Sequence, residues 1–257
     1  SGIGPGDHLS DYDIPCHVDS QGVGHGLQDH LQIRTIYKVQ NTVTLNQRVN
    51  SLWGKAMMGL EYLFFKTGPL TMPPSQLGAF AKSDENQPSA NIEWHVQPLS
   101  LDQFGSPLHS FNAITPSVCN LRPSSRGTML IESKDPLAPP KIQPNYLSTD
   151  HDRKVAIDGL KMTRQIMTAE ALAPFSPEEW KPGPDLASDD ELLAAAGDLG
   201  TTIFHPVGTC KMGQDAMAVV DDELKVRGCQ RLRVVDASIM PLITSGNTNA
   251  PTMMIAE

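Results

Sequence analysis

The residues with the clearest capacity for chemistry lie in the stretch FHPVGTCKMG, from Phe204 to Gly213, in which His205 precedes Pro206. Proline has no N–H and disfavours helical geometry in the residue before it, so His205 is expected to be extended. Gly208 and Gly213 permit tight backbone turns on either side of the Thr-Cys-Lys-Met run. A neutral imidazole held in one direction can accept a proton at neutral pH. The stretch therefore predicts a constrained turn that presents one histidine.

Two motifs that follow this turn could bind an anionic or ring-shaped ligand. The apolar run RLRVVDASIMP predicts a buried strand that delivers Asp236 and Ala237 to a turn at its carboxyl end, where open α/β sheets bind ligands. Further on, SGNTNAPT places Asn247 and Asn249 at a helix start, whose N–H groups and dipole favour an anionic oxygen. Taken alone, the two motifs more often indicate an ordinary strand, loop and helix.

Segments rich in β-branched residues dominate the middle of the chain and predict the elements that must position these residues. The predicted strands are LQIRTIYKV, SQLGAFAKS, NIEWHVQPLS, SFNAITPSVCNL and RGTMLIESKD, the last of them buried on both faces. Apolar spacing predicts helices over 49–65 and from Thr149 onward. A third helix is predicted after Ser188, with Glu191 at the capping-box position and Gly200 past its end. The pattern indicates a mixed α and β protein.

Bulk composition restricts the class of protein. The 257 residues suffice for one or two domains, and 39% hydrophobic with 19% charged residues is typical of a soluble globular chain. A net charge of −9 and a pI near 5.3 argue against nucleic acid as a partner and against broad attraction to anionic membranes. No run approaches the roughly 20 apolar residues of a membrane span, and SGIGPGDHLS has no signal-peptide pattern.

Cysteine spacing gives no sign of a metal site. Cys16, Cys119, Cys210 and Cys229 lack CxxC or other ligand spacing. We therefore expect free thiols in a reducing, cytoplasmic compartment and no bound metal.

The order of the motifs resembles that of the glucose–methanol–choline (GMC) oxidoreductases. SGIGP and GVGHGLQDH are followed by LRPSSRGTMLIESKDPLAPPKIQPNYLSTDHD at 121–152, and then by FHPVGTCKMG, LRVVDASIMP and SGNTNAPTMMIAE. The resemblance covers nearly the whole chain and is to the carboxyl-terminal half of choline dehydrogenase-like alcohol dehydrogenases and oxidases. It implies an FAD-dependent oxidoreductase that acts on an alcohol.

The resemblance also implies an α+β and α/β architecture with two domains. A GMC-type substrate domain, an antiparallel sheet with flanking helices, is expected over 31–194. The distal part of a Rossmann-like FAD-binding domain is expected over 1–30 and 195–257. The GxGxxG fingerprint that binds the ADP part of FAD is not in this sequence, so the chain looks like a fragment whose amino-terminal half is separate or missing.

Roles for individual residues follow from the same resemblance. His205 falls on the family's catalytic histidine and Asn247 on its partner position, so His205 would take the hydroxyl proton of a primary alcohol while a hydride leaves for flavin N5. The implied FAD contacts are Asp236, Ala237, Asn247, Asn249, Pro251 and Thr252, and the implied substrate contacts are Gln76 and Trp94. Gln76 is neutral where choline-using relatives have a carboxylate, which favours a small neutral alcohol over choline. For His30 and His95, where the family often has histidine, structural roles are favoured.

Two alternatives remain open at the level of sequence. Hydroxynitrile lyases share this family, bind FAD and perform no redox turnover. The chain could also be an inert fragment that binds no flavin, because it lacks the GxGxxG half.

Overall fold

The computed structural model describes residues 1–73 and 75–257, which divide into two compact units. The first unit comprises Ser1–Leu31, Leu121–Arg153 and Thr202–Glu257, and the second comprises Gln32–Asn120 and Lys154–Thr201. Both ends of the chain thus belong to one unit. The sequence-based map assigns the segment 121–153 to the substrate domain. It groups with the first unit, in which its strand Gly127–Leu130 pairs with His25–Leu27 on one side and with Lys141–Gln143 on the other. That one unit binds FAD and the other the substrate stays a prediction.

The secondary structure of the described residues alternates short strands and helices. The strands are β1 (Ile3–Gly4), β2 (Val18–Asp19), β3 (His25–Leu27), β4 (Leu31–Arg34), β5 (Ile36–Lys38), β6 (Leu77–Ala81), β7 (Ile92–Gln97), β8 (Ala113–Asn120), β9 (Gly127–Leu130), β10 (Lys141–Gln143), β11 (Glu178–Lys181) and β12 (Gly200–Thr202). The α-helices are α1 (Gly6–Ser10), α2 (Leu45–Asn50), α3 (Leu52–Phe65), α4 (Asp150–Met167), α5 (Asp189–Leu199) and α6 (Asn249–Ala256). Short 3-10 helices lie at Pro69–Thr71, Glu170–Phe175 and Ala237–Ile239.

The second unit is built on an antiparallel sheet. Its main path runs β11-β5-β8-β4-β12, and β7 pairs with β8 on one side and with β6 on the other. The registered strand pairs are all antiparallel, as the short loops between the predicted strands indicate. α4 packs closely on this sheet at Gly159, where a Cβ would lie 3.0 Å from Val118 Cγ2.

The described residues of the first unit form two small sheets and two apolar clusters. β1 and β2 pair in parallel, and β3, β9 and β10 form an antiparallel sheet. One cluster is formed by Val219, Val220, Val226 and Ile239. The other is formed by Val207, Met240 and Ile243, so the turn that carries His205 is anchored in a core. β9 is not buried on both faces as predicted, because Met129 is exposed on a sheet of only three strands.

The run RLRVVDASIMP does not form the predicted buried strand. Arg233 makes an isolated antiparallel bridge with Lys225, and Val235 is 40% exposed. A strand needs hydrogen-bonding neighbours along its length. Among the described residues, the loop at 220–226 runs beside its first part and the Cys210 and Met212 N–H groups donate to the Ser238 and Ile239 carbonyls, but no ladder extends along the run. The prediction of a strand that ends at Asp236 is therefore wrong for this structure.

Helix starts follow the capping signals in the sequence. Region 49–65 contains α3 and the end of α2 in place of one helix, because Ser51 is extended and its hydroxyl accepts a hydrogen bond from the Gly54 N–H at 3.2 Å. The predicted capping box of α5 is confirmed, with Ser188 and Glu191 each accepting from the other's N–H. Within 1–73 and 75–257, no helix combines the length and the apolar character that a membrane crossing requires.

Asp152 holds the start of α4 to the loop that precedes β9. Its carboxylate accepts hydrogen bonds from the Ser124 and Ser125 N–H groups at 2.9 and 2.8 Å. Burial raises the pKa of this carboxyl, but the hydrogen bonds from both serines outweigh burial and hold the pKa below its usual range. The carboxylate form is therefore the stabilising form.

Replacement of Asp152 by asparagine is expected to lower the unfolding free energy at neutral pH by about 2 kcal/mol, because hydrogen bonds to a charged group are lost. Since the folded-state pKa is lowered, this stabilisation is complete above the unfolded pKa and disappears as the pH falls through the folded value. Urea midpoints of wild type and variant should therefore converge in acid. A difference between the two urea midpoints that stays constant with pH would contradict this role of Asp152. Asp150→Asn, at a fully exposed carboxylate, is the matched control.

Candidate active site

His205 lies in a constrained turn, as Pro206 and Gly208 predict. Phe204, directly before it, has a φ of 65°, a left-handed conformation that residues with a Cβ rarely adopt. Gly208 has a φ of 91°, and a Cβ at this position would lie 2.6 Å from the Gly26 carbonyl oxygen. Only glycine fits there without displacing backbone.

Gln28 ties this turn to the loop that leads into α6. Its backbone exchanges two hydrogen bonds with Val207, of 3.0 and 2.9 Å. Its side-chain amide donates to the Pro241 carbonyl and accepts from the Ile243 N–H, both at 3.1 Å. One side chain therefore fixes the His205 turn and the 241–243 loop together.

Asp29 is the centre of a hydrogen-bond network around His205. This carboxylate is 6% exposed, and one of its oxygens accepts from the His30 and His205 N–H groups, each at 2.9 Å. The other oxygen accepts from the Tyr146 and Thr202 hydroxyls, each at 2.5 Å. Burial, and then the neighbouring carboxylate, raise the pKa of Tyr146, so its phenol stays protonated and keeps donating. Sequence reasoning assigned no role to these two hydroxyls or to Asp29.

Two imidazoles and an amide form a continuous chain of contacts at His205. His30 Nε2 lies 3.1 Å from the Leu121 carbonyl oxygen, which can only accept, so this nitrogen carries the proton. In the neutral ring, His30 Nδ1 is then an acceptor, and His205 Nδ1, 3.0 Å away, donates to it. With the His205 ring also neutral, this assignment leaves its Nε2 unprotonated, 3.4 Å from the Asn247 amide nitrogen. The contacts thus orient a basic nitrogen toward Asn247.

The predicted cofactor contacts in the last helix lie at an open helix end. Asn249 begins α6 and is exposed, as is Asn247. Thr248, at the N-cap, makes no side-chain hydrogen bond to the first turn, and the Thr252 hydroxyl donates to the Thr248 carbonyl at 2.7 Å. Pro251 is half-buried in that turn. The amides of this helix start have no capping side chain, which suits an anionic ligand.

Asp236 supports the turn at Ala237. Its carboxylate accepts from the Ser238 N–H at 2.8 Å and from the Ser238 hydroxyl at 2.5 Å. It thereby caps the 3-10 helix Ala237–Ile239. Its side chain is therefore engaged within the protein, and Ala237 is half-buried against the cluster of Val207, Met240 and Ile243.

Gln76 and Trp94 line one apolar cavity in the second unit. This cavity has a volume of about 430 Å³, and none of the described residues that line it is charged. The indole of Trp94 is fixed because its Nε1 donates to Thr163 Oγ1 at 2.8 Å. The structure thus brings together the two side chains that the sequence assigns to substrate.

A polar cluster lies on the same sheet of the second unit. Glu93 and His95 are next-but-one neighbours on β7 and share a face, and Cys119 on β8 is directly opposite Glu93. Their ligand atoms lie within 4.8 Å of one another, a potential metal-ligand set that the sequence spacing does not reveal. His95, for which a structural role is favoured, belongs to this cluster and not to the His205 network.

A family model described as GMC oxidoreductase matches residues 123–256, more than half of the chain. The chain belongs to the GMC oxidoreductases. The resemblance stated from the motifs is thereby confirmed, and with it the assignment to an oxidoreductase family.

Relatives of this GMC oxidoreductase chain are named as a dehydrogenase and as oxidases. Oxygen-dependent choline dehydrogenase from Burkholderia multivorans is 41% identical over 257 residues, which is 100% of this chain and 45% of that protein. Formate oxidase from Aspergillus oryzae RIB40, studied for its FAD modification, matches 100% of this chain and 50% of its own, with 25% identity and a TM-score of 0.91. Pyridoxine 4-oxidase from Mesorbium loti matches 100% of this chain and 46% of its own, with 29% identity and a TM-score of 0.79.

These matches confirm the predicted fold class. The antiparallel sheet with flanking helices is that of a GMC substrate-binding domain, and FAD is named with the formate oxidase structure, as expected for the family. The chain spans about half the length of the relatives it matches.

Proposed function

We propose that this chain is the carboxyl-terminal part of an FAD-dependent enzyme that oxidises a primary alcohol to the aldehyde, with His205 as the base. The observation that carries the proposal is the His30–His205–Asn247 chain of contacts, which supports an unprotonated Nε2 on His205. His30 acts through His205 and is a positioning residue, because its own Nε2–H is bound to the Leu121 carbonyl.

The chemistry that these groups can perform is activation of a hydroxyl. An alcohol is a poor hydride donor until its oxygen becomes alkoxide-like. His205 Nε2 would accept the hydroxyl proton, and the Asn247 amide would donate to the same oxygen without competing for that proton. The constrained turn holds the imidazole still, as proton transfer to one atom requires. When bound, FAD supplies the hydride acceptor of the oxidation.

The residues around α6 fit a large anionic cofactor. An uncapped helix start with exposed Asn247 and Asn249 offers donors to phosphate or carbonyl oxygens. A Cβ at Gly246 would meet nothing within 4 Å, so space is open beside this helix start. Ala237, Asn247 and Asn249, with Pro251 and Thr252 in the first turn, would hold FAD, and Asp236 would act by supporting the Ala237 turn.

The cavity that contains Gln76 and Trp94 supports a neutral substrate. A quaternary ammonium group is bound by a carboxylate or by an aromatic cage. The cavity has no charged lining residue among those described, and Trp94 and Phe175 are its aromatic residues. We infer that it takes the apolar part of a small neutral alcohol.

The front half of the enzyme would complete the flavin site. The described residues of the first unit leave Val235, Leu242, Met253 and Met254 exposed, which is consistent with a surface that another part of the protein covers. A non-redox lyase activity is not favoured, because the matched relatives are named dehydrogenases and oxidases.

Anaerobic mixing of the full-length enzyme with alcohols tests this function. A neutral primary alcohol should bleach the absorbance of oxidised flavin. The carbon isostere of choline, 3,3-dimethylbutan-1-ol, should do so at about tenfold lower concentration than choline. The reason is that no carboxylate in the cavity compensates the desolvation of the ammonium group of choline. Flavin that stays oxidised with every alcohol would support the lyase alternative. Absence of flavin from the full-length protein would support an inert protein. A preference for choline would reject the neutral-substrate part alone.

A further inference from the structure

α3 exposes apolar side chains on several sides. Of its 14 residues, Met58 is the buried one. Its exposed side chains include Leu52, Trp53, Leu60, Leu63, Phe64 and Phe65, and Trp53 and Phe65 are each 74% exposed. Leu70 in the 3-10 helix that follows is exposed as well. We call these seven side chains the α3 patch.

Most of the α3 patch lies on one broad face of the helix. Trp53, Leu60 and Phe64 are spaced by seven and four residues, which places them on the same side, and Leu52 and Leu63 lie beside them. A helix with one broad apolar face can lie in the plane of a membrane interface with that face toward the acyl chains.

The charges beside the α3 patch are opposite in sign to those of the protein as a whole. The chain has 20 Lys and Arg against 29 Asp and Glu. The stretch from Leu45 to Phe80 nevertheless contains Arg48, Lys55 and Lys66 with Glu61 as its one acidic residue. Within the described part of the chain, the three cations take part in no ion pair. Lys66 Nζ lies over the Tyr62 ring, 4.7 Å from its centroid, a contact that does not neutralise its charge. All three cations thus keep a positive charge that anionic headgroups can bind.

We propose that the α3 patch is a membrane-docking surface that lies in the interface of an anionic lipid bilayer. Leu, Phe and Trp side chains enter the acyl boundary, while Lys55 and Lys66 reach phosphate groups with their ammonium heads. Trp53 and Tyr62 combine an apolar ring with a polar group, as is typical of residues at the headgroup level. The net negative charge of the protein directs the remaining surface away from the membrane.

Vesicle binding by the full-length enzyme tests this surface. Phosphatidylcholine vesicles with about 30% phosphatidylglycerol should pellet the enzyme, and phosphatidylcholine alone should do so more weakly. The double variant Leu52→Ser/Leu63→Ser should lose roughly tenfold or more in binding. Leu137→Ser is the matched control, because Leu137 is 90% exposed and Leu52 is 86% exposed, but Leu137 lies outside the patch. It should bind as wild type does.

Charge reversal tests the electrostatic part. Lys55→Glu should weaken binding to the anionic vesicles about fivefold and leave binding to phosphatidylcholine nearly unchanged. Lys134→Glu, at an exposed lysine of the other unit, should have no comparable effect.

Tryptophan emission distinguishes lipid from a protein cover. The emission of Trp53, isolated by difference from Trp53→Phe, should shift to the blue when anionic vesicles are added. If the front half of the enzyme covers α3, the emission of Trp53 will already be blue-shifted in solution and will not change when vesicles are added. That result overturns the proposal. A second copy as the cover would appear as a dimer that Leu52→Ser/Leu63→Ser converts to monomer, and this outcome also overturns it.

Discussion

Replacement of His205 by alanine in the full-length enzyme is expected to lower kcat for the alcohol by about 10² or more, the low end for loss of a positioned acid–base group. The variant removes His205 Nε2, which we propose as the base and which lies 3.4 Å from the Asn247 amide nitrogen. Flavin content should change little, because alanine keeps the backbone N–H that donates to Asp29.

The rate of flavin reduction after anaerobic mixing with the alcohol measures this effect directly. His151→Ala, at an exposed histidine outside the network, is the control and should reduce flavin at the wild-type rate. Near wild-type reduction in His205→Ala would remove His205 from the mechanism, whereas loss of flavin would show that the residue is needed for assembly.

Replacement of Asp29 by alanine is expected to affect stability more than any other single change at the site. The carboxylate accepts from four donors, two backbone N–H groups and two hydroxyls, in a buried position. Each buried donor left without a partner costs about 1–3 kcal/mol. We expect a loss of at least about 3 kcal/mol in unfolding free energy, and a lower kcat because the His205 N–H loses its anchor.

Asparagine at position 29 tests whether the four hydrogen bonds account for the stabilisation. Its carbonyl oxygen can still accept from the His30 and His205 N–H groups, and its amide can donate to the Tyr146 and Thr202 hydroxyls, which are able to reverse their roles. Asp29→Asn should therefore lose much less stability than Asp29→Ala in the same denaturant titration. Equal destabilisation by both variants would contradict the role assigned to the four hydrogen bonds.

Local features of this protein are encoded in short sequence patterns. The Pro206 and Gly208 turn, the capping box of Ser188 and Glu191, and the strands β6 to β8 follow from steric and periodic rules that act over a few residues. The order of the motifs identifies the family, because several motifs in a fixed order along the chain are more specific than any one of them. For the same reason, His205 and Asn247 could be selected from sequence as catalytic candidates.

Only the tertiary structure shows which distant segments of the chain are in contact. His30 and His205 are 175 residues apart, and the protonation pattern of the pair depends on a third group, the Leu121 carbonyl. The register of β7 against β8 places Cys119 opposite Glu93, which no spacing rule indicates. The apolar run before Asp236 has strand-like composition, yet it forms no strand, because pairing requires neighbours along its length that the composition of the run cannot specify. Sequence patterns determine local geometry, whereas hydrogen-bond partners and burial depend on which distant segments the folded chain brings together.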